Sequence, residues 1–147
     1  MRSGSTTRWR AKEKSYSDYR KKHKTNGCVF CRLVQHPTSQ VIEKTKHCLI
    51  IKNRFGYDLW DGCGVKQHLM VIPRRHVASL GELTDEEKID YMDQVARFEV
   101  DGYSIYARSP GNKTKSVIHQ HAHLIKIDNK PKRWLIFLKK PHILIGR

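Results

Sequence analysis

Three histidines occupy alternate positions in the segment SVIHQHAHLI, which spans residues 116–125. They are His119, His121 and His123. Successive side chains of a β-strand point to opposite faces, so this spacing predicts three imidazoles on one face, about 6.6 Å from one to the next. A core that buried three imidazoles would need a polar partner for each of them. The pattern therefore indicates a functional site.

Three kinds of chemistry use imidazoles arranged in this way. One or two of the rings can bind a metal ion together with ligands from elsewhere in the chain. A histidine cluster can also respond to pH, although such a response does not require a regular spacing. In the third case one imidazole attacks phosphorus to form a labile phosphoramidate, and neighbouring groups orient it and stabilise charge on the phosphate oxygens. The residues of this segment leave all three open.

Hydrophobic patterning and turn residues predict the elements that position the histidines. Strands are predicted at residues 41–42, 48–51, 68–73, 103–108 and 116–127, with one or two more within 133–145. A loop is predicted at residues 54–66, which carry three glycines and two aspartates. With one main helix, these elements predict an α+β fold with a mostly antiparallel sheet of five or more strands.

The main helix is predicted to begin after Thr84. Thr84 and Glu87 have the spacing of a capping box, and the acidic residues between them favour the positive end of a helix dipole. The apolar residues expected to form the buried stripe of this helix are Ile89, Met92 and Val95 or Ala96. An Asp-Gly pair at residues 101–102 is expected to end it.

Positive charge is concentrated at the two ends of the chain. The formal net charge is +15; residues 1–27 carry nine Lys and Arg against two acids, and residues 124–147 carry seven against one. Basic ends on a near-neutral body indicate a polyanionic partner, with nucleic acid or a nucleotide as the obvious class, or a solvated tail that aids solubility. We divide the chain into a basic, flexible N-terminal tail (1–27) and one domain with a basic C-terminal segment (28–147). No apolar run is long enough for a membrane span or a secretory signal, so a cytoplasmic location is expected.

The segment HQHAHLI resembles the motif of the histidine triad family. Two other segments agree with that family in order and spacing: QHLMVIPRRHVASLGELTDEE at 67–87 resembles the segment that precedes the motif, and CVFC at 28–31 resembles the cysteine pair of the zinc-bearing branch. The resemblance covers residues 28–127. It implies an α+β nucleotide hydrolase or transferase that acts at the α-phosphate and is often a homodimer.

The resemblance also implies roles for particular side chains. His121 would be the nucleophile that forms a nucleotidyl-histidine, His123 would donate to a phosphate oxygen, and Ser116 would lie near the phosphate and the leaving group. A structural zinc ion would be held by Cys28, Cys31, His76 and His119. For this metal site His68 is an alternative to His76, and a redox pair or two unlinked thiols is the alternative for the cysteines. The transferase branch has Gln in place of the third histidine, so His123 favours hydrolysis.

Two residues depart from the family's pattern. Lys115 stands where Gln is usual, and Arg108 stands where Asn is common. We expect both to bind substrate, and their charge favours a polyphosphate or a nucleic-acid end over a neutral amidate. The alternative functions are removal of adenylate from nucleic-acid ends and a catalytically weak module that binds nucleic acid. Residues 49–60 are expected to line the nucleoside pocket, and the base specificity stays open.

Overall fold

The structure of the chain is a computed structural model that describes residues 7–23, 27–132, 135–139 and 142–146. The helices are α1 (Arg10–Lys22), α2 (Val29–Gln35) and α3 (Asp85–Val100), with a 3₁₀ turn at Leu80–Glu82. The strands are β1 (Val41–Lys44), β2 (Cys48–Lys52), β3 (Leu59–Trp60), β4 (Cys63–Pro73), β5 (Ser104–Ala107), β6 (Ala122–Pro131), β7 (Leu135–Lys139) and β8 (His142–Gly146). The main antiparallel sheet has the order β1-β2-β4-β6-β5, with β3 paired to β4, and β7 and β8 form a separate hairpin. The predicted α+β fold is confirmed.

Strand β4 lies at the centre of the sheet, between β2 and β6. Its apolar run is buried on both faces, as expected for a central strand. Helix α3 covers one face, where Tyr91 packs with Val71 and Leu124. Helix α2, which the sequence analysis does not predict, covers the other face, where Phe30 packs with Met70. Because Met70 pairs in register with the third histidine of the triad, the triad belongs to the α2 face.

Helix α3 begins where predicted but turns a different face to the sheet. The capping box is present: Thr84 Oγ1 accepts from the Glu87 backbone N–H, and the Glu87 carboxylate accepts from the Thr84 N–H. The predicted stripe is wrong at Ile89 and Met92, which are 63% and 59% exposed, whereas Val95 packs against the core as predicted and Tyr91 is buried. The acidic groups set this rotation. The Glu87 carboxylate accepts from the Arg75 guanidinium at 2.6 and 2.9 Å, which holds the first turn of the helix against the segment that follows β4.

A tight hairpin replaces the second half of the loop predicted at 54–66. Leu59 pairs with Gly64 and Trp60 with Cys63, which leaves Asp61 and Gly62 as a two-residue turn. Both turn residues have positive φ, 48° and 73°, as a type I′ turn requires. The Asp-Gly dipeptide is a known signal for this turn, so the loop prediction overlooked a strand pair.

Residues 7–23 form helix α1 and the turn that leads into it, where the composition predicts a flexible tail. The Thr7 carbonyl accepts from the backbone N–H groups of Asp58 and Leu59 at 2.8 and 3.1 Å. Two tyrosine rings of α1 pack on Phe55 with centroid distances of 5.3 and 5.1 Å. Side chains at helical spacing thus give this basic segment one inner face that docks on the loop after β2. The division of the chain at residue 27 stays a prediction. Among the described residues, no helix is both long and apolar enough to cross a membrane.

Candidate metal centre and histidine cluster

Two thiols and two imidazoles converge beside α2. The ligand atoms of Cys28, Cys31, His76 and His119 all lie within 4.8 Å of one another. Cys31 Sγ is 3.1 Å from His76 Nδ1, and Cys28 Sγ is 3.5 Å from His119 Nδ1. In a tetrahedral zinc site, a sulfur and a nitrogen ligand lie about 3.6 Å apart. The donor set and its spacing therefore fit a closed, structural zinc site.

The remaining ring nitrogen of His119 orients it toward this cluster. His119 Nε2 lies 2.8 Å from the carbonyl oxygen of Pro73, to which it donates, so Nδ1 presents its lone pair to the cysteines. Burial raises the pKa of the Cys28 thiol, but the hydrogen bond with His119 and those to the backbone bring it down to about 6. Burial and the bond to Cys28 raise the pKa of Cys31 to about 11. A bound dication would favour the thiolate form of both.

His68, considered as an alternative metal ligand, lies outside this cluster and contacts the triad. Its Nδ1 accepts from the backbone N–H of Tyr57 at 2.9 Å, and its Nε2 lies 2.9 Å from His123 Nδ1. The side-chain nitrogen Nδ2 of Asn53, which only donates, is 3.1 Å from the same Nε2, and the Asn53 oxygen Oδ1 is held by the Phe55 backbone N–H. Sequence reasoning missed this contact, although the two-residue period of β4 places His68 on the same face as Met70.

These contacts assign the proton positions in the His68–His123 pair. A neutral imidazole accepts at only one nitrogen, and the 2.9 Å bond from the Tyr57 backbone N–H is shorter than the 3.1 Å approach of Asn53 Nδ2, so we assign His68 Nδ1 as the acceptor and place its proton on Nε2. His68 therefore donates to His123 Nδ1, and His123 carries its own proton on Nε2. Burial lowers the pKa of His68 to about 3 and that of His123 well below its usual value, so both rings are neutral near pH 7. His123 Nε2 is buried and has no hydrogen-bond partner within the described ranges, so it is a donor available to an anion oxygen.

His121 has the opposite proton arrangement. Its Nδ1 donates to the carbonyl oxygen of His119 at 2.8 Å, so Nε2 carries the lone pair. Burial lowers the pKa of His121 to about 4; the bond to that carbonyl opposes the shift, and the charges of Lys115 and Arg108 add to it. The rings of His121 and His123 stand edge to face with centroids 5.0 Å apart. A nucleophilic nitrogen and an N–H donor thus come from adjacent rings.

Arg108 lies on the His123 side of the cluster. Its Nη1 donates to Tyr57 Oη at 3.3 Å, and its guanidinium carbon is 5.1 Å from the centroid of the Tyr106 ring. Both tyrosine rings stack on His123, with centroids at 5.6 and 5.9 Å. Arg108 Nε is buried without a partner, and no carboxylate pairs with this guanidinium in the part of the chain that the structure describes. Its positive charge is therefore available to an anion.

The other two predicted substrate-side residues already have partners in the protein. Lys115 Nζ donates to the Ala78 carbonyl at 3.0 Å and to Gln120 Oε1 at 2.6 Å. Ser116 Oγ accepts from Tyr16 Oη of α1 at 2.6 Å. Sequence reasoning missed Tyr16, because it treated the N-terminal segment as a tail.

Solved structures with the same fold are known. A HIT family hydrolase from Clostridium thermocellum is 22% identical at a TM-score of 0.54, over 73% of this chain and 96% of that one. A member of the HIT family from Bacillus subtilis is 23% identical at a TM-score of 0.56, over 71% and 75%. A Zn-bound histidine triad family protein from Mycobacterium smegmatis is 23% identical at a TM-score of 0.53, over 71% and 77%. No family model and no curated protein matches the sequence. The chain therefore has the fold of the histidine triad proteins, and the resemblance of its motifs to that family is confirmed in the fold.

Proposed function

We propose that the chain is a nucleotide hydrolase that acts at the α-phosphate of a nucleotide conjugate through a covalent nucleotidyl-histidine. The observation that carries this proposal is the proton arrangement of His121. The His119 carbonyl binds the Nδ1 proton at 2.8 Å, which leaves Nε2 as a nucleophile that burial keeps neutral. The shared fold with proteins described as HIT family hydrolases supports the same class of reaction.

The reaction has two displacements at phosphorus. In the first, His121 Nε2 forms a bond to the α-phosphorus, and the leaving group departs with the electron pair of its bond and takes up a proton from solvent, which the second step returns. In the second, water attacks the phosphorus, the P–N bond returns its electrons to Nε2, and the proton of the water passes to solvent. Throughout, His123 Nε2–H donates to a non-bridging oxygen, and Arg108 offsets the negative charge. We assign Ser116 and Lys115 to the leaving-group and phosphate side of the site.

Zinc has a structural role in this proposal. Cys28, Cys31, His76 and His119 would hold it, and a zinc ion there would anchor the His119 ring while the carbonyl of the same residue orients His121. No chemical step needs a metal-bound water, because four protein ligands complete a tetrahedral site.

The test is to trap the intermediate. Wild type and His121→Ala are incubated with radiolabelled adenosine polyphosphates and adenylate amidates. The reaction is then quenched, and the mass of the protein is measured by mass spectrometry. We expect a nucleotidyl adduct on wild type, none on the variant, and a loss of turnover of at least about a thousandfold. Equal turnover by the two proteins would exclude His121 as the nucleophile.

A second candidate is removal of adenylate from nucleic-acid ends, and the charges of α1 favour it. Lys12 faces inward and pairs with Asp58, whereas an outer set of basic side chains is exposed: Arg10, Lys14, Arg20, Lys21 and Lys22. Replacing Arg10, Lys14 and Lys21 by Glu should weaken the binding of an oligonucleotide and make its affinity less dependent on salt concentration. Mononucleotide turnover should stay unchanged. Oligonucleotide binding without turnover would favour the catalytically weak binding module, and no binding by wild type would remove both nucleic-acid functions.

We also propose a homodimer. Helix α3 exposes an apolar stripe in which Ile89, Met92 and Val100 are 63%, 59% and 89% exposed. The neighbouring strand β5 is an edge strand of the main sheet and exposes Ile105. An apolar helix face beside an unpaired strand edge is a surface that a second copy could cover. The cytoplasmic location stays a prediction.

A further inference from the structure

Helix α1 contacts the beginning of the triad segment. Tyr16 Oη donates to Ser116 Oγ at 2.6 Å, which joins residues 100 positions apart in the sequence. Ser116 lies three residues before His119. Tyr16 is therefore attached to the chain at the point where it enters the triad.

The same helix face reaches the other end of the triad through a stack of side chains. The guanidinium carbon of Arg8, just ahead of α1, lies 4.4 Å from the Tyr16 ring centroid and 4.9 Å from that of Tyr57. Tyr57 in turn stacks on His123. The inner face of α1 thus contacts Ser116 directly and is connected to His123 through Arg8 and Tyr57.

Ion pairs and hydrogen bonds hold α1 in this place. Arg8 Nε donates to the Phe55 carbonyl at 2.6 Å, and its Nη1 lies 3.3 Å from the Glu13 carboxylate. Asp58 forms an ion pair with Lys12 and accepts from the Trp9 backbone N–H at 2.9 Å. The Arg8 side chain is only 9% exposed. Since the inner cations already have carboxylate partners, they dock the helix and are not free to bind a phosphate.

We infer that α1 is a wall of the substrate site, and that Tyr16 is a specificity-determining residue that limits the leaving group. The inference rests on the proposed function, since it requires the leaving group to depart on the Ser116 side. A substrate atom that bonds Ser116 shares that hydroxyl with the Tyr16 phenol. A small leaving group fits beside the tyrosine ring, whereas a large one has to displace it.

The experiment compares two adenylate amidates that differ only in the leaving amine, ammonia in one and a bulky aromatic amine in the other. Tyr16→Ala should raise the ratio of kcat/KM for the bulky over the small amidate by about tenfold. Tyr19→Phe, a change in another tyrosine on the same helix, is the control and should leave the ratio as in wild type. Circular dichroism and Tm establish that the variants are folded; if Tyr16→Ala is not, Tyr16→Leu takes its place.

A second variant tests whether Tyr16 acts through Ser116. Tyr16→Phe keeps the ring and removes the hydroxyl that bonds Ser116. If the hydroxyl acts only through that bond, the change in kcat/KM caused by Tyr16→Phe should disappear when Ser116 is already Ala. An unchanged amidate ratio in folded Tyr16→Ala, or an equal effect of Tyr16→Phe with and without Ser116, would overturn the inference. Turnover of adenosine polyphosphates is measured in parallel: if wild type cleaves neither these nor the amidates, the proposed function fails, and the wall is then judged by whether Tyr16→Ala raises the affinity for the bulky amidate relative to the small one.

Discussion

His121 donates its Nδ1 proton to the carbonyl oxygen of His119, and the ring of that same His119 points at two cysteines. One residue thus links the candidate metal centre to the candidate nucleophile: its side chain belongs to the first and its backbone to the second. Loss of the metal ligands should therefore shift the His119 backbone and change the hydrogen bond that orients the His121 ring.

Cys31→Ser should remove the metal and destabilise the protein. Loss of one thiolate from a four-ligand set leaves an open, weaker site, so we expect zinc content near zero and a free energy of unfolding lower by about 2 kcal/mol or more. Metal analysis and thermal unfolding measure the two effects. Cys63→Ser is the matched control, because Cys63 is buried in β4 outside the cluster; full zinc content in Cys31→Ser would contradict the assignment.

His68→Ala should lower turnover while zinc content stays at the wild-type level. Without His68, the Nδ1 of His123 loses the donor that fixes its proton on Nε2, and a fraction of the rings would present a lone pair to the phosphate. We expect kcat to fall by about tenfold to hundredfold. His36→Ala, at the exposed end of α2, is the control. A loss of zinc in His68→Ala would restore His68 as a metal ligand.

The histidine motif, the cysteine pair and the segment 67–87 together predicted four residues that the fold brings into one cluster able to hold a metal ion, because all three segments resemble a known pattern. Their detailed environment could not be predicted from the same pattern. The strand predicted at 116–127 begins only at Ala122, so it carries His123 alone. His119 and His121 lie ahead of it, where the backbone carbonyl of His119 is free to bind the ring of His121. That bond depends on local backbone geometry rather than on residue spacing.

Elements whose place is set by long-range polar contacts were also missed. Apolar periodicity predicts Ile89 and Met92 for the buried face of α3, but the pairing of Glu87 with Arg75 turns the helix away from that choice. Likewise, α1 is held in place by Asp58, which pairs with Lys12 and accepts from the Trp9 backbone N–H. These residues are more than forty positions apart, so their contact could not be predicted from local sequence.

The ion pair between Glu87 and Arg75 predicts a pH dependence of stability. The hydrogen bonds from Arg75 lower the pKa of Glu87 to about 2 from an ordinary value of 4.5. A lowered pKa in the folded state stabilises the protein above pH 4.5, and this contribution is lost as the pH falls from 4.5 toward 2. Urea unfolding of Glu87→Gln should show lower stability than wild type at pH 7, with a gap that narrows below pH 4.5.

Protonation of the cysteine and histidine ligands at low pH affects both proteins and cancels in that difference. A gap that stays constant from pH 7 to pH 2 would show that the Glu87 charge makes no contribution.

Met92→Glu should convert a dimer into a monomer. A carboxylate in the middle of the exposed α3 stripe would be desolvated without a partner if a second copy covers it. Light scattering should then give a mass that falls from about twice 17.3 kDa to 17.3 kDa. Lys88→Glu, a change at an exposed neighbour off the stripe, is the control. A monomeric wild type would rule out the homodimer.

The attachment of Thr7 to Asp58 and Leu59 has a practical consequence for anyone who handles this protein. Thr7 is fixed next to Tyr57, whose ring stacks on His123, so a fusion partner at the N-terminal end of the chain is tethered within a few residues of the proposed site. Enzyme assays are therefore best carried out after such a partner has been removed.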